Sequence, residues 1–371
     1  MRDLKLPKIS LPKLSFPLPD LAFLKRKKLS LGLDIGSHSV KICELAEIPT
    51  GYKLLSLGNA RVPPGAVEDG VLQDPDAVAK IISALAKNLK VSGQKVAFSI
   101  SGYSVIVKRI NLAVMPPDAL EKHIVAEAEQ YIPFDIDDVY LDFQDLKTNT
   151  PDEYRTDVML VAAKKDVIDA YLTMLKSAGL KTTVVDVDAF ALENAFAAIF
   201  KEQEENIGLV DIGASKINLN ILSRGTSILT RDIVLGSRQL TEEIGNRLGI
   251  SQEDAEAIKI GAMPVGDRAK EIEDIFSNVC SQWVAEIRRA IDFYYANNPD
   301  ELLAKLVLSG GGSKVQGFSQ YLSKQINIPV ENFNPFNNIV FDKQMINPEY
   351  LSSIGPEMAI AMGLATRPVA F

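Results

Sequence analysis

Short apolar runs alternate along this chain with segments whose apolar residues recur every three or four positions, the signature of strands mixed with helices. LSLGLDIG, SVKICELAE and YKLLSLGNARV, from Leu29 onward, read as three successive strands. From Asp76 to Leu89 the period turns helical, with Ala77, Ile81, Leu85 and Leu89 expected on one face. QKVAFSISG and VIVKRINL are further strands. Pro116-Pro117-Asp118 opens a helix with Asp118 as the expected N-cap and Glu121 completing a capping box; it runs to about Tyr131 and stops at Pro133. VYLDFQDL and TDVMLVAA follow as strands, DVIDAYLTMLKSAG as a helix closed by Gly179, then strand TTVVDVD and a helix from Ala189 to Lys201.

After the polar run KEQEEN (201–206) the opening grammar recurs. LGLDIGSHSVKICEL and IGLVDIGASKINLNIL each give an apolar strand, Asp-Ile-Gly, small or hydroxyl residues and a second strand. The alignment sets Asp34 on Asp211, Gly36 on Gly213 and Lys41 near Asn218, too distant in sequence for a solenoid and right for a duplicated α/β domain. Helices at 237–248, 252–260 and about 269–296 follow. A strand at 306–308 then runs into Ser309-Gly310-Gly311-Gly312-Ser313, and a small-residue helix at 356–366 is suited to close packing.

Composition is ordinary for a globular chain of 371 residues: 47% hydrophobic, 24% charged and a mean hydropathy of +0.06. Such a length holds two or three cores. No apolar run is long enough for a membrane-spanning helix, and the prolines and lysines near the N-terminus interrupt any secretory signal. Cys43 and Cys280 lie far apart, so both are expected reduced and buried, and His38 and His123 leave no material for a histidine triad or zinc site. The net charge of −8 is uneven. Residues 1–28 hold eight Lys/Arg against Asp3 and Asp20, which leaves the rest of the chain at −14 and excludes general nucleic-acid binding. Those residues, with four prolines, read as an extended arm: a solubilising tail, a docking segment, or a weak anionic-membrane contact through residues 21–28.

The repeated turns carry the chemistry. One Asp-x-Gly turn is often a matter of backbone conformation alone. Two at equivalent places, with a strand–GGG–helix later, suggest a nucleotide between two halves. Backbone N–H groups would hold its phosphates, and the glycine run would lie against adenine and ribose. Asp34 and Asp211 would hold Mg²⁺ through its waters, so that the metal stands between acid and phosphate.

This order of two phosphate turns and an adenosine-type glycine loop resembles the actin-like ATPase superfamily. More narrowly, AEAEQYIPFDIDDVYLDFQ (126–144), VAEIRRAIDFYYA (284–296), SGGGSKVQGFSQYL (309–322) and VENFNPFNNI (330–339) resemble the PilM family of type IV pilus assembly, over roughly residues 29–367. The resemblance implies an actin-like ATPase fold of two duplicated RNase H-like halves with an FtsA-like layout. Subdomain 1A would comprise 29–94 and 179–202, an inserted 1C would span 95–178, 2A would comprise 203–240 and 306–371, and 2B would span 241–305. It implies ATP and Mg²⁺ at Asp34, Gly36, Ser37, Ser39 and Lys41, then Asp211, Gly213, Ala214, Ser215 and Lys216, then Gly310, Gly311, Gly312 and Ser313. Glu256 and Lys259 match the place where relatives touch base and ribose; a surface ion pair is the alternative. Lys216 stands where many relatives carry a small residue, and would reach a phosphate or point into solvent. Of the carboxylates considered as a general base, Glu129 and Asp142 fall in 1C and Glu193 is left, so slow turnover at most is expected. His38 is expected to contribute backbone only; Trp283, Tyr294 and Tyr295 are expected to pack.

The family resemblance also implies a cytoplasmic scaffold, peripheral at the inner face of the cell membrane. It would bind the N-terminal tail of a PilN-like membrane protein in a groove walled by residues 104–112 and 131–134, contact pilus assembly ATPases, and form homo-oligomers. Two rivals are an FtsA-like filament former, which would end in a basic membrane helix where this chain reads RPVAF, and a sugar-kinase-type phosphotransferase, which would need a positioned catalytic acid.

Overall fold

The computed structural model describes residues 29–91, 95–148, 154–200 and 204–369; the arm, with its proposed membrane contact at 21–28, lies outside the described residues. The chain opens with the antiparallel meander β1 (Leu31–Ile35), β2 (Ser39–Ile48) and β3 (Gly51–Arg61). A small hairpin, β4 (Val67–Glu68) and β5 (Val71–Leu72), leads to α1 (Pro75–Leu89) and β6 (Lys95–Ile100). Asp74 caps α1 by accepting from the Ala77 amide. Its buried face is Val78, Ala79, Ile82 and Leu85, about one residue on from the expected stripe, because the helix starts at Pro75 and sits on the sheet at that rotation.

An insertion follows: β7 (Val105–Ala113), α2 (Pro117–Glu127), β8 (Val139–Asp145) and β9 (Arg155–Lys164). The Asp118 capping box does not form; α2 begins with Pro117 in its first turn and Pro116 at the cap, and no side chain caps it. The three strands make a separate sheet in the order β7-β9-β8 with its own core around Ile110, Ile124 and Leu160. The chain returns through α3 (Lys165–Ser177), β10 (Lys181–Val187) and α4 (Asp188–Ile199).

The second half repeats the plan with β11 (Asn206–Ile212), β12 (Ile217–Ser223), β13 (Thr226–Ile233), α5 (Ser237–Leu248), α6 (Gln252–Lys259), α7 (Ala269–Asn297), β14 (Leu303–Ser309), α8 (Phe318–Ile326) and β15 (Val330–Asn332). Its sheet runs β13-β12-β11-β14-β15. Through their first five strands the two sheets match in order and direction, since β3-β2-β1-β6-β10 of the first sheet has the same pairing. Trp283 and Tyr294 on α7 are buried in the core of this half, Trp283 edge-on to Phe318 at 5.2 Å, while Tyr295 is half-buried against it.

The last elements are β16 (Val340–Phe341), α9 (Pro348–Ile354) and α10 (Ala359–Ala365). They return to the first half: β16 pairs with β3, and α10 lies against β1, β2 and α4. A Cβ on Gly363 would stand 1.7 Å from the Ala191 carbonyl oxygen and one on Gly32 2.0 Å from that of Ala361, so glycine permits this contact. β6 joins the first sheet, α3 packs on α1, and the inserted sheet is built from 105–164; β16 and α10 return to the first half, while the Pro356 carbonyl accepts from the Gly310 amide of the second. Asn334-Pro335-Phe336 is part of the core between the sheets, where Phe333 and Phe336 are buried near Phe196. Cys43 and Cys280 are free and buried.

Candidate functional site

The two Asp-Ile-Gly turns superpose in their hydrogen bonding. The Gly36 amide donates to the Ser39 carbonyl at 3.1 Å, and the Gly213 amide to the Lys216 carbonyl at 2.9 Å. Asp34 lies opposite Lys41 in one hairpin, and Asp211 opposite Asn218 in the other. Among the described residues the amides of Ser37, His38, Ala214 and Ser215 meet no acceptor, which leaves a short row of donors on each turn. The turns face each other: the Ser37 hydroxyl donates to that of Ser215 at 2.8 Å, and Arg238 of α5 reaches the Ser37 carbonyl at 2.9 Å. Ser39 is buried beneath the first turn, and the His38 side chain is exposed while its carbonyl accepts from the Val62 amide.

Charge separates the turns. Asp34 is held by the Lys41 ammonium at 2.8 Å, which keeps Lys41 above its usual pKa in spite of burial. Among the described residues no Lys or Arg side chain pairs with Asp211. It accepts from the Ser309 hydroxyl at 2.7 Å, but burial, with Asp34 nearby, pushes its carboxyl up to about 6. Lys216 takes neither expected course: it crosses the cleft to Asp188, in the first turn of α4, at 2.7 Å. Burial would push the Asp188 carboxyl up, but Lys216 and the hydroxyls of Ser99 and Ser101, each at 2.6 Å, hold it below the usual range.

The glycine run splits by role. Gly310 has φ +80°, a Cβ there would meet the Ile212 carbonyl oxygen at 2.4 Å, and one on Gly312 would strike the Ile212 side chain at 2.2 Å. Close packing under the second turn explains both, and only Gly311 stands clear, with Glu357 at 3.8 Å. Ser313 donates to the Gly310 carbonyl and is spent on the loop. Glu256 and Lys259 pair at 2.7 Å, but Lys259 is buried rather than on the surface, and Glu256 also accepts from Thr241. Glu193 accepts from the Ser227 amide and hydroxyl, which occupies it. Asp188, Ser99, Ser101, Ser309 and Arg238 were missed from sequence; an acid at a strand–helix junction, as in DVDAF, was the available signal for the first.

The donor set fits a polyphosphate: free amides on both turns, with Lys41 and Lys216 at hand. It also fits a hydrated cation, because Asp211 lacks a counter-charge and one oxygen of buried Asn218 opposite it has no partner. Among the described residues no group of three His, Cys, Asp or Glu could cage a metal directly, and no helix is long and apolar enough to cross a membrane.

Comparison with known proteins adds the following. The family described as "Type IV pilus assembly protein PilM" matches residues 32–369. A solved structure described as a PilM-PilN type IV pilus biogenesis complex is similar over 92% of this chain and 99% of the other, with a TM-score of 0.81 and 30% identity. Cell division protein FtsA of Pseudomonas aeruginosa is 23% identical, with 90% of each chain covered. MreB5 of Spiroplasma citri bound to ADP is similar in fold, with a TM-score of 0.51 and 12% identity over 91% of this chain and 94% of the other.

Proposed function

The chain belongs to the PilM family of type IV pilus assembly proteins and has the actin-like ATPase fold, and from that premise we propose that it is an ATP-binding scaffold that docks the tail of a PilN-like membrane protein. The observation that carries the nucleotide reading is the pair of facing turns with free amides and the uncompensated Asp211. The amides of residues 37–38 and 214–215 would hold phosphates, with Lys41 and Lys216 as cations; Asp34 and Asp211 would hold Mg²⁺ through water; Gly311, Glu256 and Lys259 would line the base and ribose side. The magnesium ion would neutralise charge between phosphate and carboxylate. Opening is required first, because Ser37 and Ser215 touch. Slow turnover follows from the commitment of the nearby carboxylates: Asp188 to Lys216 and two serines, Glu193 to Ser227.

Partner docking is supported by β7. It lies at one edge of the inserted sheet and, among the described residues, pairs only with β9. Beside it Lys108 donates to the Tyr131 carbonyl and lies over its ring, so residues 104–112 and 131–134 adjoin as two walls. An extended tail would add as a strand along that edge, with apolar side chains toward half-buried Tyr131 and Phe134. Binding a membrane protein's tail would hold the scaffold at the inner face of the membrane. Titration of a labelled PilN-type tail peptide tests this: tight binding lost in Tyr131→Ala or Phe134→Ala supports it, and binding unaffected by both refutes the placement.

A further inference from the structure

Lys216 and Asp188 link two regions that the function needs to connect. Lys216 lies in the second Asp-Ile-Gly turn, with its ammonium side chain 28% exposed at the cleft. Asp188 lies in the first half, and the hydroxyls it accepts from, Ser99 and Ser101, sit at the end of β6 where the chain leaves for the inserted sheet. A second path runs parallel. Asn218, opposite Asp211, donates to one oxygen of Asp232 at 2.7 Å, and the other oxygen of Asp232 accepts from the Gly102 amide. Both paths therefore end on residues 101–102. Two residues on, the Ser104 carbonyl accepts from the Lys164 amide at 2.9 Å, so the entry and exit strands of the insertion are fastened together at the same root.

The cluster is also incompletely satisfied. The second amide atom of Asn218 and the hydroxyl of Ser104 are buried without partners. Such atoms cost free energy as they stand. The Lys216–Asp188 pair is the member open to competition. Asp188 is buried but keeps two hydroxyl donors if Lys216 leaves, and a phosphate in the cleft offers the ammonium a multiply charged partner in exchange for a single hydrogen-bonded carboxylate.

We propose that Lys216 reads the anion in the cleft: with no anion it rests on Asp188, with the terminal phosphate of a nucleoside triphosphate it turns to that phosphate, and the change in Asp188, Ser99 and Ser101 is passed to the root of the insertion. This rests on the reading that a nucleotide binds between the turns. It adds the residue that discriminates triphosphate from diphosphate, and the route by which a partner on β7 senses it.

Hydrogen exchange of the peptide covering residues 99–105 tests the proposal on the full chain, apo and with Mg-ADP or a non-hydrolysable Mg-ATP analogue, alongside nucleotide affinity by calorimetry. In the native protein the analogue should change exchange at 99–105 several-fold more than ADP does. Ser101→Ala, which removes one of the hydroxyls on Asp188, should still bind the analogue measurably and lose most of that response. Lys216→Gln should reduce the preference for triphosphate over diphosphate by roughly tenfold, the worth of one charge-assisted contact. An unchanged response in Ser101→Ala, or an unchanged preference in Lys216→Gln, overturns the relay while leaving nucleotide binding intact. No binding by the native protein overturns both. If Lys216→Gln fails to fold, Asp188→Asn, which removes the charge that holds Lys216 and keeps one acceptor for the serine hydroxyls, gives the same readout: loss of response supports the relay and retention refutes it.

Discussion

The two Asp-Ile-Gly turns share a backbone and differ in charge. In the first, the residue opposite the acid is Lys41, and Asp34 is neutralised within its own hairpin. In the second the opposite residue is Asn218, the nearby lysine is committed to the other half, and Asp211 is left with a serine hydroxyl. Duplication preserved the hydrogen bonds that shape the turn, because those are fixed by glycine and strand register. It did not preserve the charges, which only the occupant of the cleft constrains. The acid of the first turn is paired within its own hairpin, and the acid of the second is where the proposed cation would act.

The largest expected effect breaks the complete side. Lys41→Met strands the Asp34 carboxylate in a nearly buried position and should destabilise the protein by about 3–5 kcal/mol in urea unfolding. Adding Asp34→Asn should recover most of it. Next comes the packing behind the second turn. Gly312→Ala forces a Cβ onto Ile212 and should cost about 3 kcal/mol, whereas Gly311→Ala should leave stability within about 0.5 kcal/mol.

The unpaired acid gives a pH signature. Folded Asp211 holds its proton up to about pH 6, whereas its ordinary value is 3.8. Between those values the native state binds more protons than the unfolded state, so stability without ligand falls as pH rises through that window and stays lower above it. Asp211→Asn should remove this slope and stabilise the ligand-free protein at neutral pH by about 3 kcal/mol. The smallest effect is at the rim. Arg61 and Glu253 pair across the cleft at 3.3 Å but both are well exposed, so Arg61→Ala should shift stability by less than about 0.5 kcal/mol.

The duplicated turns were legible because a strand, Asp-Ile-Gly and a second strand recur with the same spacing, and strand register follows directly from that pattern. The fate of β16 and α10 was not. Their return to the first sheet depends on Gly32 and Gly363 allowing contact with residues far away in sequence, which no local period reveals. The site divides likewise. Asp34, Asp211 and the turn residues announce themselves, while Asp188, Ser99 and Ser101 come together only through the fold. The glycine run reads from sequence as a place of close approach, but that Ile212 is what comes close to two of its three positions is visible only in the fold. Lys216 was visible as an oddity, but its partner lies on another element of the other half.

Thermal unfolding of the full chain with ATP, in Mg²⁺ and in EDTA, with the native protein beside Asp211→Asn, reads out whether the second turn takes a cation together with the nucleotide. With ATP at about a hundred times its dissociation constant, stabilisation of about 2.7 kcal/mol is expected for the native protein in Mg²⁺, with most of it lost in EDTA and in the variant. Equal stabilisation with and without Mg²⁺, or none in either, would contradict the claim that the second turn is completed by a cation and a nucleotide.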